Sequence, residues 1–173
     1  MLSRATMAAI GGAALTLLAS GAALAWDKNV KVEDNYNTVC AYEPGAQCSS
    51  AIRIEADMSG VDMQGASMTT MRMDRANLTR ANLSGAILHM SNLEDANLML
   101  ANLEGAAMHA VNLQGANLTM ANMTRVNLLD ANLSGANLLG ANLTDAILFE
   151  ARLDNATWTD GRVCAEGSIG ECK

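Results

Sequence analysis

The sequence predicts an all-β solenoid of short extended segments, and three observations predict it. Apolar residues make up 50% of the chain but aromatic residues only 3%, so the core must be built from small and linear side chains. From Ala56 to Asp160 the chain divides into consecutive five-residue units without insertion. Within each unit the first and third residues are apolar, the spacing at which side chains of an extended segment share a face.

The units are regular enough to be read slot by slot. Ala81-Asn82-Leu83-Ser84-Gly85, Ala131-Asn132-Leu133-Ser134-Gly135 and Ala141-Asn142-Leu143-Thr144-Asp145 are representative. Slot one is Ala in 16 of 21 units, slot three is Leu in 14 and Met in six, and slot two is Asn or Asp in 14. A period of five fits neither a helix at 3.6 nor a lone strand at 2, so each unit must contain a turn. Slots one and three point inward, Ala keeping the interior narrow and Leu filling it. Glycine in slot five, as at Gly85 and Gly105, suits a turn that needs positive φ.

The N-terminus reads as an export leader. Arg4 precedes an apolar, small-residue run from about Met7 to Ala19, and Ala23-Leu24-Ala25 matches a cleavage pattern that places the cut before Trp26. The run is short for a bilayer span, which needs about 20 residues. The expected location is therefore periplasmic or secreted, with no integral membrane segment after cleavage. Loss of Arg4 takes the formal charge from −7 to −8. So acidic a surface argues against direct nucleic-acid binding, because phosphates need Lys and Arg.

The four cysteines, an even number, suit an oxidising compartment. Cys40 and Cys48 precede the repeats, Cys164 and Cys172 follow them, and each pair has seven residues between. Three pairings are possible. The local one is expected, because a solenoid of several coils holds the two pairs too far apart to bond across. The chain thus divides into a leader (1–25), an N-terminal cap with a local disulfide (26–55), the repeats (56–160) and a C-terminal cap with a local disulfide (161–173). Trp158, in place of Leu, is expected to plug the end of the core.

The A-(D/N)-L-x-x pattern resembles the pentapeptide-repeat family over about 105 residues. The resemblance implies a right-handed β-helix of square cross-section, a quadrilateral solenoid with four units to a coil. Residues twenty apart then stack, and 21 units make about five coils. At about 4.8 Å per stacked strand the rod is roughly 25 Å long. Columns such as Asn82, Asn102, Asn122 and Asn142 are expected to form amide ladders.

On that geometry the departures from consensus fall on particular walls. Slot two loses Asn at Ser67, Ile87, Ala107 and Ile147, all on one column, with Asn127 the exception. The same wall carries His89, Met90, His109, Ala110, Leu129 and Phe149 in its outward slots. The opposite wall repeats the effect more weakly with Met99, Leu100, Met120 and Leu139, while the two walls between are polar. A contiguous apolar patch on a soluble protein marks an interface. Ile87, Met90, Ala107, Leu129, Ile147 and Phe149 are the expected contact residues, for a protein partner or for homodimerisation.

Nothing in the sequence points to catalysis. The carboxylates are scattered singly, and no nucleophile, base and acid set can be assembled. No cofactor is expected. His89 and His109, stacked at strand spacing with Met90 beside them, are candidates for a soft metal, but a tight site needs more ligands than this column offers. The resemblance offers one further class: some cytoplasmic members resemble an acidic DNA rod and inhibit DNA gyrase. The export leader disfavours that role here. A non-catalytic exported interaction module is the reading the sequence supports.

Overall fold

The structure, a computed structural model, describes residues 40–173. The leader and the stretch from Trp26 to Val39 of the expected N-terminal cap lie outside the described residues.

From Gln47 to Asn137 each slot-two residue forms a parallel bridge with the residue twenty positions on. Four five-residue units therefore close one coil, and the columns define four walls. Wall 1 carries Gln47, Ser67, Ile87, Ala107, Asn127 and Ile147. Wall 2 runs from Ile52 to Arg152, wall 3 from Asp57 to Thr157, and wall 4 from Asp62 to Asn142. Walls 1 and 3 face each other, as do walls 2 and 4.

The five residues of a unit each have a defined role in the backbone hydrogen bonding. Asn102 N–H donates to Ala81 C=O one coil back, at 2.9 Å, while Leu103 N–H donates to Asn122 C=O one coil on, at 2.7 Å. The slot-five N–H of Gly105 also reaches forward, to Thr124 C=O at 2.9 Å. The slot-one N–H of Ala106 closes the turn onto Leu103 C=O at 3.0 Å. That leaves the slot-four N–H, and the slot-two side chain takes it: Glu104 N–H donates to Asn102 Oδ1 at 3.2 Å. Asn or Asp in slot two thus satisfies the one amide the stack cannot.

Between coils the Asn side chains form ladders. Asn122 Nδ2 donates to Asn102 Oδ1 at 3.0 Å, Asn102 Nδ2 to Asn82 Oδ1 at 3.2 Å, and Asn82 Nδ2 to Asp62 Oδ1 at 2.8 Å. Asn142, expected to continue the ladder, turns instead to Thr124 Oγ1 at 2.9 Å. The lowest rung is Asp because nothing below it has to receive a proton; a carboxylate accepts only.

Slots one and three bury almost completely, and Leu83, Leu88, Leu93, Leu98 and Leu103 are among the fully enclosed side chains. One full coil of slot three is methionine: Met58, Met63, Met68 and Met73.

The stack begins two units before the expected boundary at Ala56. Gln47 and Ile52 already bridge to Ser67 and Arg72, and Cys48 occupies a buried slot three. The signal was hidden because Cys48 and Arg53 replace Leu there. Arg53 ends the core with a polar head, its Nε donating to Tyr42 Oη at 2.9 Å with the guanidinium over the Tyr42 ring. In the structure Cys40 is bonded to Cys48 and Cys164 to Cys172. At the other end Trp158 packs on the last layer of core. The chain then reverses and pairs antiparallel with the final units, Thr157 with Val163 and Arg152 with Ile169.

Candidate interaction surface

Wall 1 is built from a column that gives up the side chain the turn needs. At Ile87, Ala107 and Ile147 no carboxamide is present to accept from the slot-four amides of His89, His109 and Phe149. Among the described residues nothing else accepts from them. Asn127 keeps the rule and takes Leu129 N–H at 3.1 Å. Each lapse forfeits one turn bond and one rung of a ladder, worth about 1 kcal/mol apiece, and places an apolar side chain outward.

The six expected contact residues lie on this one wall. Ile87 is 39% exposed, Met90 47%, Ile147 51% and Phe149 66%. Ala107 and Leu129 are half-buried between them. Asn127 interrupts the column, so the apolar surface has a lower part around Ile87 and Met90 and an upper part around Leu129, Ile147 and Phe149. Wall 3 carries Leu100, Met120 and Leu139 as exposed apolar residues.

The imidazoles of His89 and His109 meet edge to face, with ring centroids 6.1 Å apart. Asp130 of the next coil stands 3.6 Å from His109 Nε2. His89 Nδ1 is buried without a hydrogen-bond partner. Among the described residues no group of three or more His, Cys, Asp and Glu side chains is arranged to hold a metal ion.

Left-handed turn residues other than glycine occur on all four walls, Asp95 on wall 2 and Arg125 and Asp145 on wall 4 among them. Slot five lies at positive φ from Ser50 to Asn155, by Gly85 and Gly105 on wall 4, by Met90 on wall 1 and by Leu100 and Met120 on wall 3. A side chain in this region costs roughly 1–2 kcal/mol relative to an unstrained backbone. Slot identity locates these residues in the sequence, and the glycines that share their slot already point to positive φ there. Walls 2 and 4 are polar, with Gln64, Ser84, Glu104 and Arg125 along wall 4, where Arg125 and Glu104 form an ion pair. Among the described residues no helix is long and apolar enough to cross a membrane.

A five-residue slot pattern, a coil closed every twenty residues and Asn ladders define a pentapeptide-repeat solenoid. The family profile for pentapeptide repeats matches in eight copies over residues 45–80, 76–115, 91–129 and 127–157, and the chain belongs to that family. Its members form right-handed quadrilateral β-helices, which is the fold described above. They are generally structural or interaction proteins. None of the curated proteins matches the chain in sequence.

Among solved structures, it is similar to the trypsin-treated plasmid-mediated fluoroquinolone resistance protein QnrB1. That match has a TM-score of 0.61 and 20% identity, over 71% of this chain and 61% of that one. The chain thus spans about three fifths of that protein's length. It is also similar to a pentapeptide repeat protein of the Arabidopsis thaliana thylakoid lumen, with a TM-score of 0.43 and 24% identity over 77% of this chain and 86% of that one. A third is HetL, involved in heterocyst differentiation regulation, from the cyanobacterium Nostoc, with a TM-score of 0.39 and 29% identity over 69% and 70%.

Proposed function

We propose that this protein is a non-catalytic exported interaction module that engages a protein partner, or a second copy of itself, through wall 1. The observation that carries the reading is the repeated loss of the slot-two carboxamide on this wall, at Ile87, Ala107 and Ile147, in favour of side chains facing outward. The exchange weakens the rod's own hydrogen bonding. Contact with an apolar surface offsets that loss, at about 25 cal/mol per Å² of apolar area removed from water. Export rests on the Arg4 to Ala25 leader pattern and on the two disulfides. A gyrase-directed role is not adopted, because likeness to QnrB1 at 20% identity speaks for fold alone.

The test is Ile147→Asp combined with Phe149→Asp. Both side chains are exposed, so the fold survives the change. The double variant is expected to lose self-association in sedimentation velocity, or partner capture after crosslinking in the native envelope, with an unchanged β spectrum. Sedimentation and capture profiles identical to those of the unaltered protein would reject the wall as the interface.

A further inference from the structure

The two halves of the C-terminal end are finished differently. Over walls 2 and 3 the returning chain takes the place of a further coil. Leu153 N–H donates to Ser168 C=O at 2.9 Å, Asn155 N–H to Cys164 C=O at 3.1 Å, and Trp158 N–H to Arg162 C=O at 2.7 Å. In the other direction Cys164 N–H donates to Ala156 C=O at 2.9 Å and Gly170 N–H to Ala151 C=O at 2.8 Å.

Over walls 4 and 1 no such replacement exists among the described residues. One coil below, Met123, Arg125 and Leu128 N–H donate to Asn142, Thr144 and Ile147 C=O at 2.8–2.9 Å. Their counterparts on the last coil, Leu143, Asp145 and Leu148 N–H, have no acceptor among the described residues, and Ala141 and Ala146 C=O have no donor. The side chains tell the same story. Leu143, Ala146 and Leu148 occupy slots that are fully enclosed in most coils, yet they are only partly buried. With Glu150 N–H, the counterpart of Asp130 N–H and likewise without an acceptor among the described residues, the edge offers four donors, two acceptors and two leucine side chains, in the geometry that a further pair of units would use.

The slot-five corners of this edge are acidic; of the cations nearby in the sequence, Arg152 and Arg162 are paired with Asp154 and Asp160, and Lys173 stands two residues beyond Glu171. Asp145 and Glu150 are exposed at the slot-five corners of the last units of walls 4 and 1, and neither makes an ion pair among the described residues. Glu171 is exposed beside Gly170, whose N–H is held by Ala151 C=O at the start of the next wall. Arg125, the nearest cation in the coil below, is already paired with Glu104. Two copies meeting end to end would bring these carboxylates together, which costs free energy.

We propose that the last coil over walls 4 and 1, from Ala141 to Glu150, is a strand-addition site for an extended basic segment of a partner protein. The segment continues the coil. Its backbone pairs with Leu143, Asp145 and Leu148 N–H and with Ala141 and Ala146 C=O. An apolar side chain covers Leu143 or Leu148, and Lys or Arg faces Asp145 and Glu150. Main-chain pairing supplies affinity, and the carboxylates supply selectivity. The site is separate from the lateral contact through wall 1 and stands or falls without it.

The test uses the disulfide-bonded protein and two decapeptides, Ala-Lys-Leu-Lys-Gly repeated twice and Ala-Glu-Leu-Glu-Gly repeated twice. Amide hydrogen exchange is read at Leu143, Asp145 and Leu148. These amides are expected to exchange fast in the dilute free protein and to slow at least about tenfold with the lysine peptide but not with the glutamate peptide. Asp145→Arg with Glu150→Arg is expected to weaken the lysine peptide about tenfold, a change of about 1.4 kcal/mol, with the β spectrum unchanged. Arg at slot five is tolerated, since Arg125 occupies that position one coil below. Equal protection by both peptides, protection by neither, or amides already protected in the dilute free protein would each overturn the proposal.

Discussion

Asn102 shows why this fold selects a carboxamide. Its oxygen accepts from Glu104 N–H and from Asn122 Nδ2, while its own Nδ2 donates to Asn82. Aspartate could serve the turn but not the rung, since it would set a carboxylate against the Asn82 oxygen. Asn102→Asp is therefore expected to cost about 1–2 kcal/mol, seen as a lower urea midpoint with an unchanged slope. Asp62→Asn, at the foot of the same column, is expected to shift the midpoint by less than about 0.5 kcal/mol. Asp62 has only to accept from Asn82 Nδ2 and Gln64 N–H, which an Asn oxygen does equally well. Equal losses in the two variants would remove the distinction. The neighbouring column begins in the same way with Asp57, whose pKa is held below its ordinary value by the hydroxyl and then the amide of Ser59.

At the level of the five-residue unit, slot five decides local stability. Gly85 and Gly105 meet the left-handed requirement without strain, whereas Leu100 and Met120 meet it with large side chains, Met120 being 63% exposed. Leu100→Gly and Met120→Gly are each expected to stabilise the protein by about 1 kcal/mol, because relief of the strained backbone exceeds the entropy glycine adds to the unfolded chain. Thermal unfolding of the single variants measures this; a fall in midpoint would show that the exposed chains contribute packing that outweighs their strain. Stability gained by deleting an exposed apolar residue would also fit a surface kept for contact rather than for folding.

For the whole rod, the ends matter more than the middle, because each interior coil is paired on both sides. The C-terminal return is anchored by Asp154 Oδ1, which accepts from Gly167 N–H at 2.6 Å. That backbone bond is the main reason the Asp154 pKa lies below its ordinary value of 3.8, with Arg152 adding to it. A lowered folded-state pKa makes the contribution present above about pH 4 and lost as the pH falls through the depressed value. Exchange at Gly167 N–H is therefore expected to quicken below pH 4, relative to its intrinsic rate, while amides of interior coils such as Leu103 keep their protection. Gly167 protection that tracked Leu103 down the same pH range would mean that the return is held by its other bonds.

Much of this protein was legible in its residues. Slots one and three announced the core, slot five the turn, and the twenty-residue recurrence of lapses singled out Ile87, Ala107 and Ile147. These features depend only on periodicity, which a repeat displays many times over. The sequence also carried the cysteine spacing, though not the place of Cys48 inside the first coil, where the usual Leu is missing. Only the tertiary structure decided how the ends are finished. The return of Val163 and Ile169 over walls 3 and 2, and the bare edge left at Leu143 and Leu148, depend on which backbone groups find partners across the last coil. That pairing is non-local, and no slot in a repeat encodes where its own repetition stops.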